Sequence, residues 1–179
     1  MSKNKLMPTI VLSSICVCVV ALLAAINLFT APIIKANQEK KLQEALLEVM
    51  PNGGTFVEVE SLAGMPGAVT DVFASENGGY VFQIKAKGFK TGMIIVCGID
   101  KDGYITGSKC IKSQETNGAE SFLPEKYVGK TVSDYSSVEI IANSTKTSDG
   151  YKAAITDAFS AYGILITRSE DHFYMGGNE

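Results

Sequence analysis

Thr9-Ile-Val-Leu-Ser-Ser-Ile-Cys-Val-Cys-Val-Val-Ala-Leu-Leu-Ala-Ala-Ile-Asn-Leu-Phe-Thr-Ala31 lies inside a gap from Lys5 to Lys35 that contains no charged residue. A helix of that length spans the ~30 Å hydrocarbon layer of a bilayer. Secretory signal peptides have shorter apolar regions of about 7–15 residues and end at small side chains. Asn27-Leu28-Phe29-Thr30 does not provide such an end, and neither Ile15 nor Val17 makes a lipobox before Cys16 or Cys18. The stretch is therefore expected to be a retained single-pass anchor. Lys3 and Lys5 precede it, while Lys35, Lys40 and Lys41 follow. The short basic tail is the easier part to keep in the cytoplasm, which would place the rest of the chain outside it.

All 19 acidic residues follow this span, and the 179-residue chain has a net charge of -3. Without clustered positive charge there is no footing for nucleic acid. Beyond Pro32, the spacing of Leu42, Ala45, Leu46 and Val49 predicts an amphipathic stalk helix from Ala36 to Met50 that docks one face. Pro51-Asn52-Gly53-Gly54 should end it.

Short runs rich in β-branched and aromatic residues then predict strands at Phe56 to Val59, Val69 to Ala74, Tyr80 to Ala86, Met93 to Ile99 and Ile105 to Ile111. Asp100-Lys101-Asp102-Gly103 is the turn of the clearest hairpin. A short helix or irregular segment is expected before Gly129, and a last strand at Ser137 to Ile141. Ser148 to Tyr162 carries an apolar stripe of Tyr151, Ala154, Ile155, Ala158, Phe159 and Tyr162, with Gly163 as the expected stop. Strands followed by a closing helix predict an α+β domain. The divisions are 1–34 for tail and anchor, 35–52 for the stalk and 53–179 for an extracytoplasmic domain.

The usual catalytic sets are missing. The single histidine, His172, lies near the C-terminus, and neither a dinucleotide fingerprint nor a Walker loop is present. Cys16 and Cys18 point to different faces of a helix and cannot clamp one metal. If Ile99 pairs with Tyr104, Cys97 opposes Thr106 rather than Cys110, so both thiols should be free. Neither a metal site nor a catalytic residue is expected.

Glu139-Ile-Ile-Ala-Asn-Ser-Thr-Lys-Thr-Ser148 runs directly into the last helix. Unpaired amides and the positive end of the dipole make such a helix start an anion site. Lys146 adds a cation and Thr145 a hydroxyl. Ordinary N-capping by Thr147, Ser148 or Asp149 accounts for the same pattern.

The order of anchor, stalk, hairpin, Glu-Thr loop and this helix start resembles the G subunit of the Rnf-type ion-translocating electron-transport complex. That family is related to the C subunit of the sodium-pumping NADH:quinone reductase. Its motif Asp-x-x-Ser-Gly-Ala-Thr-x-Thr-Ser aligns with Glu139, Ala142, Asn143, Ser144, Thr145, Lys146, Thr147 and Ser148. Its Ser-Glu-Thr-Pro-Gly-Leu-Gly loop aligns with Ser113-Gln-Glu115-Thr116-Asn117-Gly118-Ala119.

The resemblance implies an extracytoplasmic FMN-binding domain with the flavin phosphate esterified to Thr145. It implies further cofactor contacts from Ser144, Lys146, Thr147, Ser148, Glu115, Thr116, Asn117 and Gly118. It also implies partner membrane subunits, a separate flavin transferase for maturation, and ferredoxin and NAD as the terminal couple. Ala142-Asn143-Ser144 replaces Ser-Gly-Ala, and Asn143, tolerant of the left-handed region, would keep the turn. The alternatives are a non-redox anchored binding module and a paralogue lacking covalent FMN.

Overall fold

The computed structural model of the chain describes residues 3–115 and 118–175, with side chains over 9–34, 36–115 and 118–169. The chain divides between Lys41 and Leu42 into two compact units. The first consists of most of α1 (Lys3–Val49). Its apolar side chains from Ile10 to Ile34 are exposed all round, which suits lipid and not water. Among the described residues it is the one helix long and apolar enough to cross a membrane. Inside it, Thr30 Oγ1 donates to the Ile26 carbonyl at 2.8 Å, so this hydroxyl is satisfied within the helix.

The expected stalk is the C-terminal part of the same helix, which runs on through Pro32. Pro32 removes one ladder hydrogen bond. The run Lys35 to Val49 consists almost wholly of strong helix formers, however, and resumes the ladder at once.

The second unit is built on an antiparallel meander in the order β1 (Phe56–Glu58), β2 (Val69–Ser75), β3 (Tyr80–Lys87), β4 (Thr91–Ile99) and β5 (Ile105–Lys112). All five predicted strands are present, and the chain has the α+β architecture. One face of the sheet, with Val72, Phe82, Ile84, Ile95, Cys97 and Ile99, packs on α3 (Thr145–Met175) through Tyr151, Ala154, Ile155, Ala158 and Leu165. The opposite face, with Phe73, Val81 and Val96, is covered by Ala45, Leu46, Val49 and Met50 from the end of α1. Alternate strand residues thus serve two cores, as period-2 geometry requires.

Three local expectations are corrected. Residues 138–141 form no strand. The start of the outer edge of β5 is taken by another segment, because Ile105 N–H donates to the Lys130 carbonyl and Gly129 N–H to the Ile105 carbonyl. The short helix α2 (Leu123–Tyr127) also packs beside that edge. The segment folds into turns instead.

Gly163 does not stop α3, whose stripe continues to buried Leu165; a glycine weakens a helix but does not end one with a core still to cover. Finally, a bulge between Gly98 and Ile99 shifts the hairpin register. Cys97 opposes Ser108, and Cys110 opposes Ile95. Both cysteines are nonetheless free. Burial pushes the Cys97 thiol up to about 12 and the Cys110 thiol up to about 11, so neither is a thiolate at neutral pH. His172 falls within α3, but its side chain lies outside the described ones.

Candidate functional site

Three chain segments meet at the start of α3. The first is the turn Asn143-Ser144 itself. Asn143 has φ 63°, the one positive φ outside glycine among the described residues. Asn tolerates this region better than other non-glycine residues, so the expected turn is kept. Ser144 N–H donates to the Ile141 carbonyl at 3.0 Å, and Ile141 N–H donates to Ser148 Oγ at 3.1 Å. The first helical bond runs from Ser148 N–H to the Ser144 carbonyl at 2.9 Å. The amides of Thr145, Lys146 and Thr147 precede that bond and have no carbonyl partner inside the helix.

The second segment is Glu115, just beyond β5. Its carboxylate accepts from Thr147 Oγ1 at 2.5 Å, from Lys90 N–H at 2.9 Å and from Phe89 N–H at 3.2 Å. The third is the β3–β4 hairpin tip that supplies those two amides, and it is pressed onto the helix. A Cβ at Gly88 would lie 2.7 Å from Glu115 Oε1 and 3.2 Å from Thr147 Cα. A Cβ at Gly150 would strike the Lys87 carbonyl. Only glycine at these two positions allows so close an approach.

Phe89, Glu115, Asn143, Ser144, Thr145, Lys146 and Thr147 line one cavity of about 400 Å³. Lys146 Nζ lies 5.6 Å from the centre of the Phe89 ring. Within the run 144–148, Ser144, Thr147 and Ser148 are buried, whereas Thr145 is exposed. The structure therefore brings Glu115, Ser144, Thr145, Lys146 and Thr147 to one cavity.

Ser148 braces the turn from behind and does not line the cavity. Gly118 does not line it either. Its φ of 64° with open space around a Cβ shows that glycine there serves a left-handed backbone, not a close approach. A Gly118→Val change would consequently strain the chain itself. Thr116 and Asn117 lie outside the described residues. Sequence reasoning missed Phe89 as a cavity residue and Gly88 and Gly150 as the contact that seats it.

Burial acts to raise the Glu115 pKa, but the Thr147 hydroxyl, the Lys90 and Phe89 amides and the Lys90 charge outweigh it and hold the carboxyl below its ordinary value. A depressed folded-state pKa gives stability that is present above the unfolded value and lost as pH falls through the folded one. Thermal melting of the full chain and of Glu115→Gln should therefore differ at neutral pH. The gap should close as pH drops below the ordinary value of 4.5. A gap that is constant with pH would show that the carboxylate charge plays no part.

Compared with protein families, residues 1–49 match the RnfG N-terminal region, and residues 88–160 match the FMN-binding domain. No curated protein gives a significant match. The FMN-binding match opens at Gly88 and spans every cavity-lining residue. Those residues suit that ligand. Free helix amides, the Lys146 ammonium and the Thr145 hydroxyl are donors for a phosphate. Phe89 supplies an aromatic wall for a flat ring, and the Glu115 carboxylate is already engaged by three donors. Anchor-type helix, antiparallel domain and cavity thus agree with both matches, and the chain is an RnfG-type, flavin-binding subunit with an FMN-binding domain.

Proposed function

We propose that this subunit carries FMN in ester linkage on Thr145 and passes electrons within an ion-translocating, ferredoxin:NAD-type membrane complex. The observation that carries the attachment is the exposure pattern at the start of α3. Thr147 spends its hydroxyl on Glu115, and Ser148 accepts from Ile141 N–H. Ser144 is buried, which leaves Thr145 as the reachable hydroxyl of the run. Lys146 and the first amides of α3 balance the charge of a phosphate held there. When bound, FMN supplies reversible electron transfer, and the protein holds and tunes it. Glu115 keeps the hairpin tip against the helix, and the tip with the Asn143 turn shields the cavity from part of the solvent. In this reading partner subunits deliver and remove the electrons, and a separate flavin transferase forms the ester.

In this proposal the domain lies outside the cytoplasm, tethered to the plasma or inner membrane by α1. Electrons from a cytoplasmic donor then have to cross the membrane through partners, which is where ion movement can be coupled. Two measurements test the proposal. The full chain co-expressed with a flavin transferase should give a fluorescent band in a denaturing gel and an intact mass raised by one FMN less one water. A reporter active only outside the cytoplasm, fused after Glu179, should be active, and protease added to spheroplasts should reach the domain. A dark, unshifted band would remove the covalent flavin. A silent reporter with a protease-resistant domain would reverse the topology.

A further inference from the structure

The hairpin tip between β3 and β4 has a feature that core packing does not explain. Phe89 is 64 % exposed, yet the backbone on which it sits is hydrogen-bonded to a side chain from elsewhere in the domain. Its own amide and that of Lys90 each donate to a different oxygen of Glu115. The oxygen that accepts from Phe89 also takes the Thr147 hydroxyl at 2.5 Å, which ties the tip to the first turn of α3. Gly88 rests on Glu115 and Thr147, and Gly150 rests against Lys87. An exposed aromatic ring on a clamped tip, facing the cavity at the start of α3, is built to meet a ligand. It is also the one aromatic residue among the seven lining that cavity.

We propose that Phe89 is the platform against which the flavin ring lies, and that Glu115 is a positioning residue that holds this platform to the helix carrying the phosphate. The inference rests on the FMN assignment of the same site and names the residue that contacts the ring. Offset stacking of flat π-systems supports such a contact and tolerates small shifts of the ring. Lys146, now lying over the Phe89 ring, is placed to turn toward the phosphate, which frees the ring face for the flavin.

The test uses the full chain in detergent, made without a flavin transferase and titrated with FMN, and separately the flavinylated full chain. Phe89→Ala should weaken FMN binding by about tenfold, the loss expected for one stacked aromatic contact. It should also move the visible absorption and circular dichroism of the bound flavin toward those of free FMN. Phe89→Tyr should restore both the binding and the spectrum. Glu115→Gln should give an intermediate spectral change. A merely structural role for Phe89 would move the melting temperature and leave the flavin spectrum alone.

Equal FMN affinity and an equal flavin spectrum in Phe89→Ala would overturn the platform. An unchanged spectrum in Glu115→Gln would overturn the clamp. A changed spectrum in Phe89→Ala together with no covalent label in the parent chain supports the platform and overturns the ester. No FMN uptake by either route overturns both.

Discussion

Replacing Thr145 by Ala should remove the covalent flavin completely, with no fluorescent band in a denaturing gel and an intact mass equal to that of the bare chain. The loss should not come from unfolding. Thr145 is the first residue of α3, and the capping position before it belongs to Ser144, whose carbonyl accepts the first helical bond. Ala is well tolerated at the start of a helix, and Thr145 is exposed, so stability should change by no more than about 0.5 kcal/mol. Thr145→Ser keeps a hydroxyl at the same place and should retain part of the label. Thr147→Ala is the informative neighbour. It removes the donor to Glu115 at 2.5 Å and should loosen the hairpin tip, yet leave the ester in place. If the label survives Thr145→Ala and vanishes in Thr147→Ala, the attachment site has been assigned to the wrong hydroxyl.

These two threonines show where sequence alone is not sufficient. Their spacing before a helix marks an anion site or a cap and cannot choose between them, since Thr and Ser serve both roles. Folding separates the hydroxyls by giving Thr147 and Ser148 partners and leaving Thr145 open. Glu115 was legible as a site residue only through its family motif. Its partners come from Phe89 and Lys90, about 25 residues away in sequence, and no local pattern announces such a pairing. Phe89 was not legible at all, because an aromatic residue between two strands reads as part of a loop. The strands were legible because β-branched runs alternate with turn residues. The false strand at Ser137 to Ile141 has a similar composition, and whether such a run pairs depends on segments far from it in sequence, as the bonds from Ile105 of β5 to Gly129 and Lys130 illustrate. The helix end at Gly163 failed for a related reason. Glycine is a stop signal in sequence, and burial of Leu165 beyond it overrides the signal.

Removing residues 1–35 should leave a folded, flavin-competent domain, whereas removing residues 1–50 should not. The reason is that the last two turns of α1 form one of the two cores on the sheet. Ala45 and Leu46 are fully buried, with Val49 and Met50 nearly so, against Phe73, Val81 and Val96. The fit is close on the sheet side as well. A Cβ at Gly107 would lie 2.7 Å from the Val49 carbonyl oxygen and 2.8 Å from its Cα, so only glycine lets the helix end come this near. Thr106 Oγ1 then donates to that same carbonyl at 2.6 Å, which satisfies one of the orphan acceptors of the helix C-terminus. Lys109 adds an ion pair to Glu48 at the rim.

Each large side chain uncovered costs about 1.5–3 kcal/mol, and several together exceed much of the 5–15 kcal/mol that holds a typical domain. In point form, Leu46→Ala should cost about 2–5 kcal/mol and lower the melting temperature of the 36–179 fragment by about 5–15 °C. The adjacent Leu47 is 57 % exposed, and Leu47→Ala should stay within about 0.5 kcal/mol. Thermal and denaturant melts of the two fragments and the two variants decide the matter. If the 51–179 fragment melts like the 36–179 fragment, or Leu46→Ala costs no more than Leu47→Ala, the end of α1 is a tether and not part of the flavin domain.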